Sequence, residues 1–373
     1  MAAIRPRDLL TESLLARLGG TRMEPALGSA DVAATLRRDI GKLGDAGYLN
    51  VALPPEFGGL GCTLRQAACG QRRLARRAPL TALAVSAHLY WTGAAADAYR
   101  AGDDSARWIL LEAARGALFA AGHGAAGGDL RFADPRSRCE PAGESGYRFR
   151  DTTVLSSVTP AWDWVAVHAV HAVHPLNSAL VANPAPVANP APVAGARDSV
   201  GGSVTARAAG PDAVLAFAGR GSRCTPAFRV ARVQPAGAPG DVFTTSAVGW
   251  GHSILASVEY SDARRAFNEA VAGVAAITDA AMAHPIADAA TGWPEGHPLD
   301  QWVVAEAGLR LDAMKAKIAE ITHPWPLVRE PAPDLGGQHL ISVFTMRNEV
   351  TEGARRVLSL TAQIANAPAV AAL

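Results

Sequence analysis

Three groups of residues have types and spacing that could do chemistry. Gly122, Gly124 and Gly127 stand within FAAGHGAAGGD, residues 119–129, a literal GxGxxG. Bare backbone of this kind brings main-chain N–H groups up to a flat or anionic ligand. In a dinucleotide site such glycines must open a helix whose N-terminus meets the pyrophosphate, with an acid further on, here Glu144, for the ribose. The stretch Asp129-Leu130-Arg131-Phe132-Ala133-Asp134-Pro135 has no helical apolar stripe, and Pro135 restricts what precedes it, so the dinucleotide fingerprint is set aside. His168, His171 and His174 carry imidazoles that often ligate metals. On a strand the middle one points to the opposite face, and no carboxylate or Cys lies near them in sequence, so no metal is expected. His123, inside the glycine turn, keeps two readings: a ligand contact or a hydrogen-bonded structural histidine. Cys62, Cys69, Cys139 and Cys224 have neither zinc-type spacing nor disulfide density, and fit a reducing compartment.

The elements that must position these residues can be read from periodicity and punctuation. The short apolar run 117–121 feeds the glycine turn as a strand, and two further β-rich segments follow a Pro- and charge-rich connection, reaching Val167. Before them, Val32, Leu36, Ile40 and Leu43 predict a helix over 31–46, closed by Gly47. Thr63 and Gln66 form a capping box for a helix through Arg77. Pro79 starts another over 80–100, and Asp103 and Asp104 can cap one over 105–114. Arg72, Arg73, Arg76 and Arg77 read as the solvated side of their helix. VANPAPVANPAPVAG, residues 181–195, repeats a hexapeptide and reads as an extended surface linker, with closing strands at 213–217 and 228–233. Helices over 244–274, 299–321 and 340–364 follow, separated by breaks at 285–298 and 323–337; Trp302, Val303, Ala307, Leu309 and Met314 are expected to pack the second.

With 373 residues, two or three lobes are expected. The 35 basic and 34 acidic residues leave a net charge of +1, which gives no support for nucleic acid as a partner. The N-terminal MAAIRPRDLLTESLLARLGG lacks the apolar core and cleavage site of a signal peptide, and no later run approaches membrane-spanning length. A soluble, cytoplasmic protein without a membrane partner is therefore expected.

A helix, then GYLNVALPPEFGGLG (47–61), more helices, LFAAGHGAAGGD (118–129) and a β-rich middle occur in an order that resembles the acyl-CoA dehydrogenase family. That resemblance implies an α+β fold, acyl-CoA dehydrogenase-like, with an N-terminal helical domain (1–115), a central β-barrel-like domain (116–240) and a C-terminal helical bundle (241–373). It implies FAD as cofactor and an acyl-CoA or related small molecule as substrate for a flavoprotein oxidoreductase. Carried over by position, Phe119, Ala121, Gly122, His123 and Gly128 fall on the strand and turn that line the flavin, and Leu155, Ser156 and Ser157 on the strand across the ring. HLYWTGAAAD, residues 88–97, falls on the helix flanking the acyl pocket. The chain departs from the family where Gly122 replaces a hydroxyl residue, Gly128 a Ser and Leu155 a stacking Trp. Ala206-Arg207-Ala208-Ala209 lacks the hydroxyl of the family's Gly-x-Arg-x-Thr/Ser turn.

Desaturation of an acyl thioester needs a carboxylate to take the α-proton while hydride goes to the flavin. The resemblance places that Glu either in a tail beyond the last long helix, which this sequence does not reach, or near Trp250, Gly251 and His252, where there is no acid. His252 and Glu259 are left as the catalytic candidates. The Arg that pairs with the cofactor's pyrophosphate is missing from 277–292. Three readings follow: a dehydrogenase-type flavoenzyme completed by a tail-bearing paralogue, a flavin-dependent monooxygenase on the same scaffold, or a non-catalytic structural partner. Long apolar helices at the C-terminus predict burial between subunits, as a homo-oligomer or a hetero-oligomer with that paralogue.

Overall fold

A computed structural model describes residues 4–20, 30–124, 138–141, 147–150, 153–155, 162–171, 213–219, 227–230, 232–235, 242–283, 298–323 and 335–371. The chain begins with two short helices, α1 (Pro6–Leu9) and α2 (Glu12–Ala16), followed by α3 (Ala30–Asp45). In α3 the expected periodicity holds: Leu36, Ile40 and Leu43 are buried. Gly47 ends the turn after it with φ of 75°, a left-handed conformation costly to any side-chain-bearing residue, and gives its N–H to the Gly44 carbonyl at 2.8 Å. The loop 47–61 then folds as two 3-10 turns, Tyr48–Asn50 and Pro55–Phe57.

Helix α4 (Leu64–Arg77) opens on the predicted capping box, with Gln66 N–H on Thr63 Oγ1 at 3.3 Å and Thr63 N–H on Gln66 Oε1 at 2.9 Å. Its arginines divide. Arg76 and Arg77 are exposed as expected. Arg72 and Arg73 are instead half-buried, Arg72 on Ser257 Oγ at 3.5 Å and Arg73 on the Leu10 carbonyl at 2.8 Å and Glu12 at 2.7 Å. The expectation of a uniformly solvated arginine face fails because flanking elements cover its upper half. Helix α5 (Pro79–Arg100) is buried nearly all round, as a helix apolar on every face must be. Asp103 caps the next turn through Ser105 N–H at 2.9 Å, and α6 (Arg107–Ala114) follows.

Among the described residues eight strands come next: β1 (Phe119–Gly124), β2 (Arg138–Pro141), β3 (Tyr147–Arg150), β4 (Thr153–Leu155), β5 (Trp164–His171), β6 (Ala213–Gly219), β7 (Ala227–Val230) and β8 (Arg232–Pro235). Their order is β4-β1-β5-β2-β3-β7, with β6 against β5 and β8 against β6. Along one strand the sheet forks. β5 runs parallel to β1 from Trp164 to Ala166, then parallel to β2 at Val170 and His171. Among the described residues these pairings trace a forked sheet and do not include one that closes it.

Among the described residues three long helices follow: α7 (Val242–Ala283), α8 (Pro298–Thr322) and α9 (Leu335–Ala371). Each is longer than its apolar periodicity predicts. A continuous core joins α4, α5 and the start of β1 to the first half of α7 through Phe243, Ala247, Trp250, Ile254 and Val258. A second core, including Tyr260, Leu311, Met314, Ile318, Val343, Met346 and Val350, holds the bundle itself. Of the residues expected to pack α8, Ala307 and Met314 are buried, but Trp302 and Leu309 are 70% and 68% exposed. Their apolar character marks an outer face of α8, not the inner seam. Among the described residues no helix is long and apolar enough to cross a membrane.

Candidate functional site

The glycine-bearing strand is anchored at its start by side chains from α5. Phe119 N–H donates to His88 Nδ1 at 3.4 Å, while His88 Nε2 lies 3.0 Å from the Leu49 carbonyl. An accepting Nδ1 leaves the proton on Nε2, where it is donated to Leu49. The ring is therefore neutral, and its burial pushes its pKa down to about 4, the bond to Leu49 and the Asp163 charge only partly opposing this. One turn along α5, Trp91 Nε1–H donates to the Ala120 carbonyl at 3.2 Å. From the other side, Asp163 accepts the Leu118 N–H at 2.9 Å, and the Leu118 carbonyl accepts from Asp163 at 2.8 Å and Trp164 at 3.0 Å. The first residues of β1 are thus clamped by α5 and β5 before the glycines begin.

These contacts separate the sequence-predicted cofactor residues into three groups. Phe119 and Ala121 belong to the core: the Phe119 ring is fully buried against Trp108 at 5.8 Å and His88 at 6.1 Å, and Ala121 is 1% exposed. Phe119 can offer a ligand no free side chain, and its N–H is already held. Gly122, His123 and Leu155 lie where β1 exchanges partners. The β1–β5 register ends at Ala121 and Ala166, and the β1–β4 register takes over with Gly122 opposite Leu155, His123 opposite Val154 and Gly124 opposite Thr153. The structure pairs Leu155 of β4 with Gly122 of β1. Gly128, Ser156 and Ser157 lie outside the described residues, as do Glu144, His174, the repeat at 181–195 and Ala206 to Ala209. His168 and His171 fall on β5.

A flavin ring fits this arrangement in one respect. Gly122 and Gly124, two apart on a strand, share one face of β1, and neither has a Cβ to hold a flat ring away from the main chain.

The catalytic candidates on α7 are differently placed. Glu259 receives Arg347 on both carboxylate oxygens, one contact at 2.6 Å, and Thr351 Oγ1 at 3.0 Å, so it ties α7 to α9. His252 is 2% exposed and meets Phe344 of α9 edge-on, with centroids 5.0 Å apart. Where α7 meets α5 stands a residue pair that sequence reasoning missed. Trp250 Nε1–H donates to Asp97 Oδ2 at 2.7 Å, and Arg100 holds the other oxygen of Asp97 at 3.0 Å. The indole lies flat on α5 at Gly93, where an added Cβ would come within 2.3 Å of the ring. The detectable signal was Gly93 itself, a residue unfavourable in a helix, set within an otherwise Ala-rich run.

No family model matches the chain, and no curated protein matches it by sequence. Solved structures do match in three dimensions. KijD3, in complex with FMN and a dTDP-linked amino keto sugar, has a TM-score of 0.62 at 17% identity, over 98% of this chain and 84% of its own. TdsC from Paenibacillus sp. A11-2, with FMN and indole, has a TM-score of 0.57 at 16% identity, over 91% of this chain and 86% of its own. That protein is also described as dibenzothiophene monooxygenase. A provisionally assigned acyl-CoA dehydrogenase from Mycobacterium smegmatis has a TM-score of 0.57 at 14% identity, over 96% of this chain and 87% of its own. The class this defines is the acyl-CoA dehydrogenase-like fold. This chain shares that architecture with structures described as a monooxygenase and as an acyl-CoA dehydrogenase.

Proposed function

We propose that this protein is a flavin-dependent monooxygenase on the acyl-CoA dehydrogenase-like fold, acting on a small organic substrate. The observation that carries this reading is Glu259. As the first acid along α7 it is the carboxylate nearest the place where a desaturating base is expected, and both of its oxygens are held by Arg347 and Thr351. A carboxylate so engaged is poorly placed to take a proton from a substrate carbon. Oxygenation makes no demand for such a base. TdsC, a monooxygenase crystallised with FMN, supports the choice by its architecture.

When bound, a reduced flavin supplies the activation of dioxygen, with one oxygen atom going to substrate and the other to water. The chain's own residues do the rest. Gly122 and Gly124 give the ring a bare strand to lie on, with Leu155 paired to that strand, and Gly128, Ser156 and Ser157 are the further flavin contacts that the resemblance implies. His88, Trp91 and Asp163 keep that strand in place. His123 and His252 are the acid–base candidates. FAD, the cofactor implied by the resemblance, and FMN share the isoalloxazine ring that this ledge addresses. The reading divides the chain into helical (1–115), central β-barrel-like (116–240) and bundle (241–373) domains. It takes the exposed Trp302 and Leu309 face of α8 as a subunit contact, in a homo-oligomer or with a tail-bearing paralogue. A cytoplasmic setting goes with it, since reduced flavin is made there.

The test uses the full chain with FMN or FAD, an NADH-driven flavin reductase, indole as probe and ¹⁸O-labelled dioxygen. One labelled atom in the product is expected. Reduction of ferricenium by acyl-CoA without oxygen uptake would show desaturation and overturn the oxygenase; failure to bind either flavin would remove both.

A further inference from the structure

We propose that the loop 47–61 sets the placement of the glycine strand, with His88 as the positioning residue through which it acts. The loop carries much of the resemblance in sequence, yet it has no task in the function proposed above. It meets β1 through an imidazole, since His88 Nε2 lies 3.0 Å from the Leu49 carbonyl and Nδ1 accepts the Phe119 N–H at 3.4 Å. Among the described residues this ring is the hydrogen-bonded link between loop and strand.

The loop is built to hold one shape. Its turns close through Leu53 N–H on the Asn50 carbonyl at 3.2 Å, Gly61 N–H on Leu53 at 2.7 Å and Cys62 N–H on Val51 at 3.0 Å. Val51, Ala52 and Leu53 are fully buried, and so is Tyr48, whose hydroxyl donates to Gln71 of α4 at 3.1 Å. Gly59 packs so closely that an added Cβ would come within 2.1 Å of the Leu53 carbonyl and 2.4 Å of that of Asn50. Leu49, between Tyr48 and Asn50, therefore presents its carbonyl from a fixed frame.

The strand has less to hold it. β1 pairs with β5 from Phe119 to Ala121 and with β4 from Gly122 to Gly124, so neither neighbour runs along its whole length. Phe119 gives its N–H to His88, and at about 3.3 Å per residue Gly122 follows roughly 10 Å further on. The ring is enclosed and neutral, with burial holding its pKa at about 4 and Asp163 the charge that faces it. A neutral imidazole donates at one nitrogen and accepts at the other, which lets it join a carbonyl on one side to an N–H on the other. At 3.4 Å the strand-side bond is long, and a shift of about a few tenths of an ångström takes it out of range. Displacement of the loop is therefore felt at the start of β1. That the strand so placed carries a flavin rests on the proposed function; the coupling of loop to strand does not.

The experiment is a double-variant cycle on the full chain with two readouts: hydrogen exchange at the Phe119 amide without flavin, and FMN affinity followed by its fluorescence. His88→Leu should speed Phe119 exchange about tenfold and weaken FMN about fivefold, roughly the contribution of one hydrogen bond, and His88→Gln, which keeps a donor and an acceptor, should recover most of both. Gly59→Ala should produce the same two effects when His88 is present and add less than about twofold in His88→Leu. If Gly59→Ala does not fold, Gly47→Ala takes its place, because there an added methyl meets nothing and only the φ of 75° is strained. The proposal is overturned if the loop variant leaves Phe119 exchange unchanged, or if the loop and His88 effects multiply in full. Coupled exchange in a wild type that binds no FMN would keep the loop's role and remove the flavin.

Discussion

His88 makes the fold sensitive to acid, and the size of the effect follows from its surroundings. Its ring is fully enclosed, accepts the Phe119 N–H and donates to the Leu49 carbonyl, and burial moves its pKa from 6.5 to about 4. A proton added at Nδ1 would break the bond to β1 and place a charge in the core. Above pH 6.5 the ring is neutral in both folded and unfolded chains. Between 6.5 and 4 the unfolded chain binds a proton that the folded chain refuses, so stability falls as pH falls through this window. The full displacement corresponds to about 3 kcal/mol. The charged group that faces the ring is Asp163, which opposes the shift without cancelling it. The perturbation is His88→Gln, which keeps a donor and an acceptor but does not titrate in this range. Urea unfolding followed by tryptophan fluorescence from pH 7.5 to 4 should show the wild type losing about 3 kcal/mol more than the variant across the window. Parallel stability curves for the two proteins would refute a neutral, enclosed His88 and with it the account of how β1 is anchored.

Other expectations rest on contacts of the same kind. Gly93→Ala forces a Cβ into the Trp250 ring and should destabilise the protein by about 1–3 kcal/mol, with thermal melting recovered when Trp250→Leu is added. Asp97→Ala leaves the Trp250 indole N–H and Arg100 without their buried acceptor; a loss of about 2 kcal/mol or more is expected by chemical denaturation, against little loss in Asp97→Asn at the indole contact. Glu259→Gln should lower the melting temperature of the bundle by weakening its tie to Arg347 while leaving oxygenation turnover within about threefold, whereas abolished turnover in a folded variant would restore Glu259 as a base. The double variant Trp302→Ser, Leu309→Ser should change unfolding free energy by less than about 0.5 kcal/mol for each residue but shift sedimentation towards the monomer.

Where local rules decide the structure, the sequence could be read closely. The Thr63–Gln66 box, the Gly47 termination, Pro79 as the first residue of α5 and the Asp103 cap are all set within a few residues by backbone hydrogen bonding or φ, and each is found where those rules put it. Apolar periodicity was less decisive at Trp302 and Leu309, because it reports that a face avoids water and not what covers it. Charge alone misled at Arg72 and Arg73, whose long stems lie under α7 and α1–α2 partners far away in sequence.

The site shows the same division more sharply. Bare backbone at Gly122 and Gly124 was visible because glycine is a local statement. What holds that backbone was not visible. His88 reaches Phe119 across 31 residues and Trp250 reaches Asp97 across 153, and no periodicity encodes such pairs. A helix as apolar as α5 still carried the clue in its exceptions: His88, Thr92, Gly93 and Asp97 are a poor choice for a buried helix unless each has an assigned neighbour. Three of the four now have one outside their own helix, in β1 and the 47–61 loop for His88 and in α7 for Gly93 and Asp97, while Thr92 turns back on the His88 carbonyl at 2.7 Å. The polar and small residues of α5 therefore do the joining, setting strand, loop and bundle helix against one another. It follows that substitutions on α5 should disturb the glycine strand and α7 together, a coupling that variants in β1 or α7 alone would not reproduce.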